Sequence, residues 1–203
     1  MKIICIGKNY HDHNRELNNE TPAHPLFFMK PDTALLIRNR PFFLPDFSNQ
    51  VEHEIELTFK ICKSGKNINR RFAHNYYQEI GVGIDFTARD LQNQCAEEGN
   101  PWEIAKSFDS SAVISEFVPK ENFLNLKSLN FKLLKNGVEV QKGSSKEMIF
   151  GIDEIIEHIS KYITLRIGDI IFTGTPAGVS KVAIDDHLEG WLEEQKLLDF
   201  WVK

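Results

Sequence analysis

The chain has 203 residues, a formal net charge of −5 and 41% hydrophobic residues, with 15 Phe among its aromatics. That length suits one domain, residues 1–203, with a sizeable core, and the composition is that of an ordinary globular protein. An acidic balance without a long basic run excludes a nucleic-acid or anionic-membrane surface, although a local basic pocket stays open. Three cysteines (Cys5, Cys62, Cys95) lack CxxC or Cys/His spacing, and their odd number provides no disulfide framework. A reducing interior is expected, and with it a cytoplasmic location. The opening apolar run is too short for a signal peptide, and no window reaches the length of a membrane span.

Taken in chain order, residues 2–6 read as a short buried strand ending at Gly7. The polar stretch Asn9 to Leu17 reads as a short helix on an exposed edge. Pro22 and Pro25 make the following segment a loop, so residues 10–25 form a candidate lid. Leu26 to Lys30 and Ala34 to Ile37 return to strand character. Glu54 to Cys62 is expected to be the longest alternating strand, and Ile80 to Phe86 a second apolar one. A helix is predicted from Thr87, with Thr87 as its N-cap. Asn136-Gly137, flanked by Phe131–Leu134 and Val138–Val140, predicts a hairpin. Ile152, Ile155, Ile156, Ile159 and Ile163 recur at helical spacing, so residues 151–162 are predicted to form an amphipathic helix. Gly168 to Phe172 reads as a turn feeding a buried strand, and Leu197 to Val202 as the closing strand. The fold class is strand-rich α+β.

Glu54 and Glu56 are one residue apart on a predicted strand, so both carboxylates aim the same way while His53, Ile55 and Leu57 take the other face. Adjacent acids repel, and a hard divalent cation between them is one resolution; a solvated strand face is the other. Asp85 ends an otherwise apolar strand, where a carboxylate is expensive unless it is paired or metal-bound, or caps the next turn. Three carboxylates with positions left for water and substrate suit Mg²⁺ or Mn²⁺ better than zinc. His13 and Glu16, three apart, are neighbours on a helix, where the acid holds the imidazole tautomer and favours imidazolium; a plain surface pair is the alternative. His11 is a rival base that cannot face the same cavity. Lys106 stands alone among apolar neighbours, either stabilising charge on a substrate or packing its stem with its ammonium in water. Phe172 to Val179 follows a strand with two glycines and a proline. It offers backbone N–H groups and the Thr175 hydroxyl to a carboxylate, or serves as a tight structural turn. The segment lacks the Gly-Lys-Ser/Thr ending of a phosphate loop.

Together these segments resemble the fumarylacetoacetate hydrolase family, in particular its short acylpyruvase and oxaloacetate decarboxylase branch. The matching stretches are Gly7-Lys8-Asn9-Tyr10 with His13-Asn14-Arg15-Glu16, Phe28-Met29-Lys30-Pro31 and His53-Glu54-Ile55-Glu56-Leu57. Asp85 to Gln92, Lys106-Ser107-Phe108 and Gly168 to Pro176 continue the match in the family's order and spacing, over nearly the whole chain. The resemblance implies a mixed β-sandwich roll that pairs as a homodimer. It implies a metal, usually magnesium, held by Glu54, Glu56 and Asp85. It also implies substrate contacts from Arg89, Gln92 and Thr175, a lysine near the reacting carbonyl (Lys106), and a water-activating lid dyad (His13 and Glu16). Two departures stand out. The N-terminal domain of longer members has no counterpart, and Gln141 to Met148 replaces a Thr-rich turn on the substrate side of the pocket.

The activity implied is hydrolysis of a C–C bond in 2,4-dioxo acids (acylpyruvates), decarboxylation of oxaloacetate, or both, through a pyruvate enolate on the metal. Isomerisation of an oxo-enoic diacid uses the same enolate, and a silent metal-binding protein would keep the fold without the chemistry. Joint retention of the acidic trio, the lysine and the dyad favours an enzyme acting on a small 2-keto acid. The acyl pocket is expected from the lid and the Pro22–Pro25 loop.

Overall fold

Alternation along residues 55–61 organises the architecture, because its odd-numbered residues are all large and apolar. The computed structural model describes residues 1–203. Its first elements are β1 (Ile3–Gly7), α1 (His11–Glu16), β2 (Leu26–Lys30), β3 (Leu35–Leu36), β4 (Val51–His53) and β5 (Ile55–Ile61). Then follow α2 (Arg70–Ala73), β6 (Tyr77–Asp85), β7 (Thr87–Ala88), α3 (Arg89–Glu98), α4 (Glu103–Lys106), β8 (Ala112–Ile114) and β9 (Val118–Pro119). The chain continues with β10 (Asn130–Lys135), β11 (Val138–Ser144), α5 (Ile152–Tyr162), β12 (Ile170–Phe172), β13 (Ser180–Lys181), β14 (His187–Leu192) and β15 (Gln195–Trp201).

A mixed sheet runs in the order β2-β1-β12-β5-β6-β8-β3, with β9 added beside β6; β11-β10-β14-β15 form a second sheet and β13-β4-β7 a small third. The antiparallel β5–β6 register sets Ile55 against Ile84, Leu57 against Val82 and Phe59 against Ile80. Those pairs share one apolar core with Phe131 and Leu133 of β10, Leu188 of β14, Leu198 and Phe200 of β15, and Ile155, Ile156 and Ile159 of α5. Sheet on sheet, with one amphipathic helix closing the side, gives the strand-rich α+β sandwich roll expected from the sequence. No helix is long and apolar enough to cross a membrane.

The other face of β5 and β6 carries buried acids. Glu56 lies opposite Gly83, and the Asp85 amide donates to the Glu54 carbonyl at 2.9 Å, which sets those two acids across from one another. Both acids are buried, so a solvated strand face is ruled out. Glu54 itself interrupts the strand, which splits into β4 and β5 at that residue, and the nine-residue β6 is the longest strand.

Two further expectations are corrected. Thr87 does not cap a helix: it lies in β7, α3 begins at Arg89, and no side chain caps its first turn. Lys106 recruits the Thr87 hydroxyl as an acceptor, and that contact outweighs the capping preference. Of residues 34–37, Ala34 ends the 3-10 turn Asp32–Ala34 and only Leu35–Leu36 pair, as β3, so no full strand forms. The predicted Asn-Gly hairpin does form, with Asn136 at φ 55° and Gly137 at φ 78°, both positive as a tight two-residue turn demands.

Gly83 is required by close approach. A Cβ there would lie 2.5 Å from the Phe172 ring and 2.7 Å from the Val113 carbonyl oxygen, which sheet pairing holds in place. Gly83→Ala is therefore expected to destabilise the fold by about 1–3 kcal/mol through overpacking, read as a lowered urea midpoint with an unchanged slope.

Candidate active site

The site forms where strand ends from the main sheet meet α1, α3 and α4. A cavity of about 430 Å³ is lined by all nine residues singled out in the sequence: His13, Glu16, Glu54, Glu56, Asp85, Arg89, Gln92, Lys106 and Thr175. One carboxylate oxygen from each of Glu54, Glu56 and Asp85 lies within 4.8 Å of the other two.

Cations from three elements face these acids. Lys106, at the end of α4, directs its ammonium to Glu54 Oε2 (2.7 Å), Asp85 Oδ2 (3.0 Å) and the Thr87 hydroxyl (2.6 Å). It is 3% exposed, so the alternative of an ammonium in water does not hold. Arg89, at the start of α3, reaches Glu52 Oε2 with its Nε (2.7 Å), and Glu54 and Gln92 with its two other nitrogens. Lys30, at the end of β2, sits 2.8 Å from Asp85 Oδ1. That contact is a charge pairing rather than an aligned hydrogen bond, since Asp85 Oδ1 accepts none. The Lys30 ammonium spends its donors on the Ser111 hydroxyl (2.9 Å) and on the carbonyls of Ser111 and Lys106.

Glu52 and Lys30 are site residues that sequence reasoning missed. A lysine closing the apolar strand Leu26-Phe27-Phe28-Met29 was the available signal for Lys30. Glu52 had none, because its role depends on where α3 begins.

Glu56 has no cationic partner; its one hydrogen bond comes from the Gly174 amide (2.6 Å). Burial, then the charges of Asp85 and Glu54, push its pKa well above the usual carboxylate range. Burial also raises Glu54, but Lys106 and Arg89 overcome it and hold that carboxyl well below its ordinary value. Of the three acids, Glu56 is therefore the one whose charge is least supported by the protein itself. Three converging hard oxygen donors with one carboxylate short of positive charge fit Mg²⁺ or Mn²⁺.

His13 is buried on α1, its Nδ1 3.3 Å from Glu16 Oε2. Glu16 in turn accepts from the Gly178 amide at 3.0 Å. His11, the rival, is exposed and faces Thr21 instead. The imidazolium expectation is corrected. Burial lowers the His13 pKa below 6.5 and outweighs the opposing pull of Glu54 and Glu16, so the ring is neutral near neutral pH.

Thr175 lines the cavity, yet its hydroxyl is engaged: it donates to the Ile55 carbonyl (2.8 Å) and accepts from Gln141 Nε2 (2.9 Å). The departing segment 141–148 thus acts from behind the wall, since Gln141 also bonds the Ile55 amide, His53 and the Pro176 carbonyl. The Pro22–Pro25 loop does not line the cavity. Leu17, Asn18 and Asn19 do, with Asn93, Ala96, Trp102 and Phe28 as the facing wall.

Residues 2–201 match the fumarylacetoacetate hydrolase C-terminal family model. The chain is 39% identical over 201 residues to the mouse (Mus musculus) protein "oxaloacetate tautomerase FAHD1, mitochondrial", covering 99% of this chain and 91% of that one. It is 37% identical over 182 residues to the oxaloacetate decarboxylase, mitochondrial, of Dictyostelium discoideum, covering 89% and 84%. Among solved structures, fumarylpyruvate hydrolase from Pseudomonas aeruginosa, in complex with Mn²⁺ and pyruvate, superposes with a TM-score of 0.94. Sequence identity to it is 31%, over 100% of this chain and 89% of that one. With residues 2–201 matched by the family model and a relative 39% identical over 99% of its length, the chain belongs to the fumarylacetoacetate hydrolase family.

Proposed function

We propose that the protein is a divalent-metal-dependent enzyme that hydrolyses a C–C bond in acylpyruvates, decarboxylates oxaloacetate, or does both. The observation that carries this reading is the convergence of Glu54, Glu56, Asp85 and Lys106 in one cavity with the His13–Glu16 pair. Glu54, Glu56 and Asp85 would hold the ion, and Mg²⁺ or Mn²⁺ bound there supplies Lewis acidity toward the oxygens of a 2-keto acid. Arg89 and the Gln92 amide bind and orient substrate oxygens. On the Thr175 loop the backbone amide of Thr175, which has no partner within the protein, is the donor left for a carboxylate.

Glu16 accepts from His13 Nδ1, leaving Nε2 as the basic nitrogen. Neutral His13 takes a proton from water as its oxygen attacks the distal carbonyl carbon of the acylpyruvate. Lys106 stabilises the alkoxide that forms. The bond between the distal carbonyl carbon and the methylene then breaks, releasing a carboxylic acid and the pyruvate enolate, which takes up the proton to give pyruvate. With oxaloacetate the same enolate arises by loss of CO₂, and no water attack is needed. A second reading, interconversion of keto and enol oxaloacetate, draws support from the name of the mouse relative and needs only a proton moved between the methylene carbon and the keto oxygen. We take the working unit to be a homodimer; Phe43 and Phe47, exposed apolar side chains, support such pairing. Three unpaired cysteines support a reducing setting, read here as the cytoplasm.

His13→Ala is expected to lower acylpyruvate kcat/KM by about 10²–10⁴-fold while decarboxylation of oxaloacetate persists. Undiminished hydrolysis would remove the dyad from the mechanism. Because the base must be neutral and its pKa lies below 6.5, hydrolysis should hold level above that pH and fall only on the acid side. A pH profile of kcat/KM for wild type and His13→Gln checks this, the acid limb vanishing in the variant. Oxalate should raise the melting temperature only when Mg²⁺ or Mn²⁺ is present, by ligand linkage. A shift of equal size in chelator would argue against a metal-dependent site.

A further inference from the structure

Lys30 closes β2 with its side chain fully buried, yet it does not line the cavity and so does not touch a substrate there. A methionine would fill much the same space without a charge to desolvate. The lysine instead gathers polar groups around its ammonium. It donates to the Lys106 carbonyl, to the Ser111 hydroxyl (2.9 Å) and, at 3.3 Å, to the Ser111 carbonyl, and it sits 2.8 Å from Asp85 Oδ1.

The contact with Lys106 is the informative one. Its helix, α4, has four residues, too few to be held in place by its own hydrogen bonds. Lys106 ends that helix, and its carbonyl accepts from no backbone amide. The Lys30 ammonium and the Ser111 hydroxyl (2.9 Å) satisfy it instead. The Lys106 ammonium meanwhile lies 3.0 Å from Asp85 Oδ2, while Lys30 faces the other oxygen of the same carboxylate. Asp85, Lys30 and Lys106 thus close a ring of contacts that grips Lys106 at its main chain and at its charged end together. The residues before Lys30 on β2 add to the grip. The Phe28 ring centroid is 5.4 Å from the Lys106 ammonium, and the Met29 carbonyl accepts from the Ser107 hydroxyl at 2.9 Å.

We propose that Lys30, together with Ser111, is a positioning residue for Lys106. It fixes the end of α4 against Asp85, so that the Lys106 ammonium is already in place when the alkoxide forms. This rests on the reading of Lys106 as the group that stabilises that alkoxide.

Lys30→Met and Ser111→Ala separate this role from simple neutralisation of Asp85, because Ser111→Ala leaves the Lys30 charge where it is. With saturating Mg²⁺, kcat for acetylpyruvate hydrolysis should fall about tenfold or more in Lys30→Met and about threefold or more in Ser111→Ala, with KM within about twofold of wild type. Outright loss of a charge-stabilising donor would cost about 10²–10³-fold. Decarboxylation of oxaloacetate, which forms no alkoxide, should keep at least about a third of its rate in both variants. Labelling with acetic anhydride, read by peptide mass spectrometry, should show Lys106 reacting about threefold or more faster in each, since its main-chain anchor is weakened. Cooperative urea unfolding identifies a folded variant, and if Lys30→Met does not fold, Ser111→Ala alone decides. Hydrolysis at the wild-type rate in Ser111→Ala, a parallel fall of both reactions, or unchanged labelling of Lys106 overturns the assignment. If labelling rises but wild type processes neither substrate, the positioning of Lys106 stands and the proposed reaction falls. If wild type processes neither and labelling does not rise, both fall.

Discussion

Charge balance among buried side chains is the constraint on which the rest of the site depends. Glu52, Glu54, Glu56 and Asp85 are buried within reach of Arg89, Lys106 and Lys30, so negative groups outnumber positive ones by one. Buried ions of one sign are tolerated only with close partners, and removing a single partner from such a pair typically costs about 3–5 kcal/mol. The fold meets this condition with cations from three separate elements, the end of β2, the start of α3 and the end of α4. Glu56 is left over, and its raised pKa expresses the same deficit that a divalent ion would fill.

The loop after β12 joins the acidic cluster to the lid. The Gly174 amide holds Glu56, Thr175 bonds the Ile55 carbonyl, the Pro176 carbonyl accepts from Gln141, and the Gly178 amide holds Glu16. One short segment therefore positions a carboxylate of the trio and a member of the dyad together. Gly174, at φ 95° with Asn9 pressed close, makes that geometry available without a Cβ clash. A shift in this loop would move Glu56 and Glu16 together, which gives it a larger part than a structural turn.

Neutral His13 follows from the same economy of burial. Exposed, a His beside Glu16 would gain imidazolium character; on the buried side of α1, desolvation wins and the His13 pKa falls. The neighbouring acid then serves orientation, and its own second contact to the main chain at Gly178 keeps it there.

The chain's local patterns determined a good deal by themselves. Alternation in Ile55–Ile61, the spacing of Ile152, Ile155, Ile156 and Ile159, and Asn136-Gly137 each correspond to an element, because side-chain period and turn chemistry are local properties. The residue types of the site were legible too, since carboxylates, a lysine and a glycine-rich turn inside apolar surroundings conflict with ordinary burial. What only the tertiary structure decided is who faces whom. Lys30 and Glu52 became site residues, Thr87 became a partner of Lys106 rather than a helix cap, and the Thr175 hydroxyl was drawn into the wall by Gln141. Those outcomes join residues 19 to 55 positions apart, and pKa shifts and pairing depend on such long-range approach, which no local pattern encodes.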